Sequence, residues 1–191
     1  MIFSSEKFGS VTAKDIESAK VGNSAAQKLI YETYSPMVYG IAKRIFRETG
    51  YAEDVLQDTF IDVFTKLDTF RGDASLGAWI RRIATNRCLM LLRSSWVSKS
   101  IDVDIDTRST SSHEDEIILQ EELELAIATL SIQARAVLLL HDVEGYKHRE
   151  IAKTLGKTES YSKSQLARAH IKLKLFLEKT YETKEERWIV R

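Results

Sequence analysis

The sequence predicts an all-α chain: two small helical domains joined by an extended linker. Three observations carry that prediction. Apolar residues recur at helical spacing through most of the 191 residues, and a single proline and only eight glycines interrupt them. One stretch, residues 94–112, loses all helical period and turns to Ser, Thr and Asp. Apolar content of 43% and charged content of 29% are those of an ordinary globular chain.

The elements follow in order. Residues 11–20 read as a short helix that Gly22-Asn23 end, and Ser24 is placed to cap the next one. That helix carries Leu29 and Ile30. Pro36 kinks or restarts it, and Met37, Val38, Ile41, Ala42 and Ile45 continue the apolar stripe to Arg47, with Gly50 as the stop. A third helix over 52–68 buries Ala52, Val55, Leu56, Phe60, Val63, Phe64 and Leu67. The loop FRGDASL, Phe70 to Leu76, leads into a fourth helix over 77–93 with Trp79, Ile80, Ile83, Ala84, Leu89 and Leu92 on its apolar side. The alternation in IDVDID, residues 101–106, would suit a strand, but a lone strand has nothing to pair with. Residues 94–113 are therefore an acidic tether of roughly twenty residues between domains 1–93 and 114–191. Helices resume at 114–129 and 132–143, and Gly145 stops the second.

Residues 145–177 are the most informative stretch. Ile151, Ala152 and Leu155 form a short amphipathic helix, and Gly156 follows where a left-handed residue is wanted. Thr158 caps the next helix, with Glu159 at its positive end. That helix buries Leu166, Ala169 and Leu173 and carries Lys163, Arg168, Lys172 and Lys174. Two helices on a tight turn, the second basic, make a helix-turn-helix whose second helix fits a DNA major groove. An ordinary helical hairpin with a solvated basic face shares the same pattern.

Charge supports the DNA reading. The chain is neutral overall, yet residues 113–144 hold eight acidic side chains against one basic, and residues 145–191 hold twelve basic against six acidic. The positive charge lies where the helix-turn-helix lies. The one cysteine, Cys88, excludes an internal disulfide and a cysteine-based zinc site, and reads as a buried thiol. No signal peptide and no apolar run of spanning length is present, so a cytoplasmic protein is expected.

The third helix has a wet side of Glu53, Asp54, Gln57, Asp58 and Asp62. It is either a solvated face or, far less commonly, a carboxylate metal site. A nuclease using Glu53, Asp54 and Asp58 lacks supporting histidines, because all four lie in the other half, and no nucleophile triad or phosphate loop is present. No catalytic residue, cofactor or metal is expected. Downstream, Arg71, Arg81, Arg82, Arg87 and Arg93 surround Phe70 and Trp79, with Asn86 one turn from Arg82. Basic residues interleaved with aromatics suit single-stranded or unstacked nucleic acid, although both aromatics also fit a core.

At AEDVLQDTF, FRGDASLGAWIRRIATN, LSIQARAVLLLHDVEGYKHREIAKTLG and SKSQLARAHIKL the chain resembles the extracytoplasmic-function (ECF) sigma factors, two-domain initiation factors of bacterial RNA polymerase. The resemblance covers about 24–93 (region 2) and 121–177 (region 4), in the family's order and spacing. It implies a region-2-like helical bundle and a four-helix region 4 domain, with no catalysis. It implies that Glu53, Asp54, Gln57, Asp58 and Phe60 dock on the clamp of the polymerase largest subunit, and that the beta flap is a second contact. It implies a minus-ten site from Phe70, Arg71, Gly72, Asp73, Ala74, Ser75, Leu76, Trp79, Arg82, Asn86 and Arg87, where the loop captures a flipped base. For the minus-thirty-five element it implies Lys163, Ser164 and Arg168 at base edges. Arg149, Ser160, Tyr161 and Gln165 complete that site, with Arg149, Tyr161 and Gln165 on phosphates. An anti-sigma factor and a monomeric free state are expected as well.

Three departures mark the second domain. Ser162 stands where the family usually has an apolar β-branched residue, and Gln165 and His170 stand where it has arginines. The first is expected to loosen the helix-turn-helix core, the others to weaken minus-thirty-five binding. Ser131, where proline is common, touches only a turn. A stand-alone helix-turn-helix regulator of duplex operators is the alternative reading, and it leaves Phe70 to Asn86 unexplained. The Trp188-Ile189-Val190 cluster serves either a partner contact or a fold-back onto the second domain.

Overall fold

The computed structural model describes residues 11–94 and 115–189, and every described element is helical. The helices are α1 (Ala13–Lys20), α2 (Ser24–Phe46), α3 (Thr49–Lys66), α4 (Leu76–Arg93), α5 (Asp115–Ala128), α6 (Ile132–Leu138), α7 (His148–Leu155) and α8 (Glu159–Ile189). A 3-10 turn, Leu67–Thr69, follows α3, and a π turn, Leu139–Val143, follows α6. The chain forms two units, Met1–Cys88 and Leu89–Arg191, so the division falls inside α4. The proposed tether, apart from Ser94, lies outside the described residues, as does Val190.

In the first unit, α1 opens with a capping box between Thr12 and Asp15. Asn23, not Ser24, caps α2, its Oδ1 accepting from the Ala26 amide at 3.0 Å. The Asn side chain reaches the amide three residues on, and Ser24 is already helical. Pro36 does not restart α2, which runs unbroken through it. An interior proline forfeits one backbone bond and costs about 3 kcal/mol. Ile30, Val38, Ala42 and Ile45, at most 1% exposed, lie on both sides of it. Each fully buried Ile contributes roughly 1.5–3 kcal/mol, so packing on both sides offsets the defect and the helix continues. Gly50 is likewise not the stop. Arg47, at φ 63°, makes the turn and Gly50 lies in the first turn of α3.

The core joins Ile30 and Val38 of α2, Phe60 and Val63 of α3, and Leu76, Ile80 and Ala84 of α4. Gly77 permits the approach of α4 to α2: a Cβ there would lie 3.0 Å from the Tyr34 ring. Thr59 is fully buried in α3, and its hydroxyl finds no hydrogen-bond partner among the described residues. An unpaired buried hydroxyl costs free energy, so Thr59→Val is expected to stabilise the fold by about 1 kcal/mol, read as a higher denaturant midpoint at unchanged slope.

In the second unit, Leu130, Val137, Leu140, Ile151, Leu166 and Ala169 share one core. The expected regular helix over 132–143 is α6 plus the π turn, where the Glu144 amide reaches back to the Leu139 carbonyl at 3.0 Å. One extra residue per turn re-aims the side chains of this segment. The helix-turn-helix is α7 and α8. Gly156 adopts the left-handed conformation (φ 66°), and the Thr158 hydroxyl accepts from the Tyr161 amide at 3.1 Å. α8 continues far past Leu177, so the tail is helical through Ile189.

Candidate functional site

In the first unit, α3 turns Ala52, Val55 and Phe60 inward and leaves Glu53, Asp54, Gln57 and Asp58 exposed. Period and burial agree, so the acidic stripe is one continuous face. Phe60 does not belong to it. It is 4% exposed, with its ring centroid 4.7 Å from Tyr31 and 5.8 Å from Phe64, because it lies one helical turn from Leu56 and from fully buried Val63, on the core side of the helix. Asp62, one turn beyond Asp58, is held by Arg87 of α4 and by Lys66 at 2.8 Å. The Arg87 hydrogen bond, with help from Lys66, holds the Asp62 carboxyl below the usual carboxylate range against its partial burial. Arg87 also lies 3.5 Å from Asp58. Its charge is therefore committed to α3, although the sequence groups it with the loop arginines.

The loop Arg71–Ser75 is exposed throughout, with Gly72 at φ 81°. Leu76 is buried at 5% and starts α4. The Ser75 hydroxyl accepts from the Ala78 amide at 3.2 Å, so this residue caps α4 and gives the loop a fixed exit. Phe70 and Trp79 pack tilted at 5.4 Å and flank the core while staying half-buried. The structure thus places Phe70, Trp79 and the mouth of the loop together. Arg82 is exposed and Asn86 half-buried on α4. Sequence reasoning missed Lys20, whose Nζ donates to the Phe70 carbonyl at 3.4 Å, and Asp62 as the anchor of Arg87. The basic end of α1 hinted at the first; nothing in the linear pattern pairs the second.

In the second unit, Ser160, Lys163, Ser164 and Arg168 are exposed along one side of α8, and Arg149 is exposed on α7. The Ser164 hydroxyl donates to the Tyr161 carbonyl at 2.8 Å. Burial pushes the Tyr161 hydroxyl up in pKa, and Lys157 lies 5.8 Å from its ring centroid. Gln165 is 8% exposed and packs inward, apart from the other expected minus-thirty-five residues. The face opposite the core therefore presents two cations and two hydroxyls. Ser162 is fully buried, and its hydroxyl lies 2.9 Å from His148 Nδ1. The expected loosening is offset by a polar bond in place of an apolar contact.

Among the described residues no three His, Cys, Asp or Glu side chains are arranged to hold a metal ion, and no helix is long and apolar enough to cross a membrane.

Comparison with known proteins matches residues 30–97 to Sigma-70 region 2 and residues 120–173 to Sigma-70 region 4, together more than half of the chain. The ECF RNA polymerase sigma factor SigM of Mycobacterium tuberculosis is 26% identical over 152 residues, covering 80% of this chain and 77% of the relative. SigX of Bacillus subtilis, also an ECF RNA polymerase sigma factor, is 29% identical over 147 residues, with 72% and 76% covered. Among solved structures, the sigma factor RpoE of Bartonella quintana, in complex with the anti-sigma factor NepR, shares the fold at a TM-score of 0.51 and 24% identity. The match covers 79% of this chain and 96% of that one.

Proposed function

The chain belongs to the ECF family of sigma factors, and on that premise we propose how its two units divide the work of promoter-specific initiation. A sigma factor binds core RNA polymerase and selects promoters; it is not an enzyme. Residues 1–93 bind polymerase and recognise and melt the minus-ten element, residues 94–113 tether, and residues 114–191 recognise the minus-thirty-five element. The observation that carries this division is that region 2 and region 4 match in order on one chain, each centred on a different unit.

The exposed carboxylates Glu53, Asp54 and Asp58, with Gln57, form the docking face for the polymerase clamp. Their uniform sign supplies steering and orientation more than raw affinity. The loop Arg71–Ser75, between the half-buried Phe70 and Trp79, receives an unstacked base. Extrusion of that base costs a few kcal/mol, which aromatic walls and arginine contacts to phosphate offset. Arg149, Ser160, Tyr161, Lys163, Ser164 and Arg168 face the minus-thirty-five duplex, where Lys163 and Arg168 supply the charge. The burial of Gln165 and the pairing of Arg87 speak for positioning roles for these two. The beta flap and an anti-sigma factor are further partners, and the free chain is a monomer.

Mixing the full chain with bacterial core polymerase tests the reading. A stable complex that transcribes from specific duplexes is expected; a folded chain that forms no complex overturns it. Within that assay Asn86→Ala is expected to slow DNA opening roughly tenfold, the value of about one good hydrogen bond, with closed-complex affinity largely kept. Equal losses in both steps would show that Asn86 does not capture a base.

A further inference from the structure

Three of the chain's four histidines gather in the second unit around one carboxylate. Asp142, on the π turn, has one oxygen 2.6 Å from His141 Nδ1 and the other 2.7 Å from His170 Nε2 on α8. His148, the first residue of α7, stacks on His141 with ring centroids 4.3 Å apart and planes at 20°. Its Nδ1 meets the buried Ser162 hydroxyl of α8 at 2.9 Å. The recognition helix is thus gripped at Ser162 and at His170, two turns apart, from the same cluster. Lys163, Ser164 and Arg168 lie between the grips. Ser162 and His170 are also two of the three positions where this chain departs from the family pattern. Each departure alone reads as a loss; together they are the α8 half of one clasp.

We propose that Asp142 and His148 are positioning residues for minus-thirty-five recognition, and that the clasp they make with His170 and Ser162 seats the recognition helix in a proton-dependent way. The inference rests on the region 4 reading above. The π turn provides the geometry by bringing His141 and Asp142 beside the start of α7. Rotation or sliding of α8 in its seat would move the base-facing side chains, and a displacement near 1 Å is enough to lose bidentate geometry.

Proton dependence follows from the charges around the stack. His148 is held below the ordinary histidine value by burial first, then by His141 and Lys163, with Glu159 and Asp142 opposing. Asp142 is pushed up by burial, but hydrogen bonds and charge from His141 and His170 more than offset this and leave it below the ordinary carboxylate value. Because the folded His148 value is depressed, its contribution is complete above the unfolded histidine value, about 6.5, and is lost as pH falls below it. The charges of His141 and Lys163 disfavour a proton on His148 within the folded cluster, so taking one up weakens the stack.

The test uses the full chain bound to bacterial core polymerase and a duplex library randomised across the minus-thirty-five region, at about pH 8 and about pH 6. Sequence preference, not total binding, is the readout, because added positive charge raises nonspecific affinity for any duplex. The wild type is expected to select a motif strongly at the higher pH and several-fold less at the lower. His148→Asn, which keeps a hydrogen-bonding group near the Nδ1 position without titrating there, is expected to hold its preference at both. Asp142→Asn is expected to lose preference at both while melting as a folded protein. A wild-type preference equal at the two pH values, or a His148→Asn variant as pH-sensitive as wild type, overturns the clasp and leaves the sigma reading intact. A wild-type complex that selects nothing at either pH overturns the region 4 reading and the clasp with it.

Discussion

Asp58→Lys is expected to weaken the complex with core polymerase by roughly tenfold to a hundredfold, because it reverses the sign of one of the carboxylates proposed as the docking face. The side chain is 58% exposed, and its one described ion pair, to Arg87, spans 3.5 Å. Such a pair contributes little to folding, so the variant is expected to melt within about 0.5 kcal/mol of wild type. Arg87 keeps its closer bond to Asp62, which secures the α3–α4 contact when Asp58 changes. Asp58→Asn should fall between the two, and the difference among the three should shrink as salt screens the interface. An affinity unchanged by the reversal, measured with purified components, would remove Asp58 from the docking face.

Arg168→Ala is expected to cost about 1–3 kcal/mol of base discrimination at one minus-thirty-five position if the guanidinium spans a base edge. A phosphate contact predicts something different: a uniform loss across sequences and a salt slope smaller by about one. Selection from a randomised duplex, repeated at two salt concentrations, separates the two. Arg168 is exposed, while its neighbour Ala169 is fully buried, so truncation leaves the seat of α8 in place. A preference identical to wild type with only the salt slope changed would assign Arg168 to the backbone.

Much of this was legible in the linear chain. The α3 stripe, the Gly156 turn and the Thr158 cap each depend on residues within a few positions of one another, where helical period and capping chemistry act. The misreadings have a common form. Ser24 and Gly50 carry the right local chemistry, but Asn23 and Arg47 occupy the backbone positions that needed it. Pro36 reads as a kink or a restart because a proline's local cost is visible; the restart does not occur, because the packing of Ile30, Val38 and Ile45 carries the helix through, and that packing is not visible along the chain. Phe60 fits a docking motif by type and order, yet its angular position sends it into the core.

What the sequence alone determined is therefore the helices, their amphipathic faces, the helix-turn-helix and the segregation of charge. These follow from short-range periodicity, caps and composition. Tertiary packing decided which charges are spent inside the protein and which remain for a partner. Arg87 finds Asp62 across 25 residues, His148 finds Ser162 across 14, and His170 finds Asp142 across 28. None of these separations has a signature along the chain. The partners meet because buried apolar faces bring their helices together, and a charge or proton site then forms wherever complementary groups come within hydrogen-bond reach.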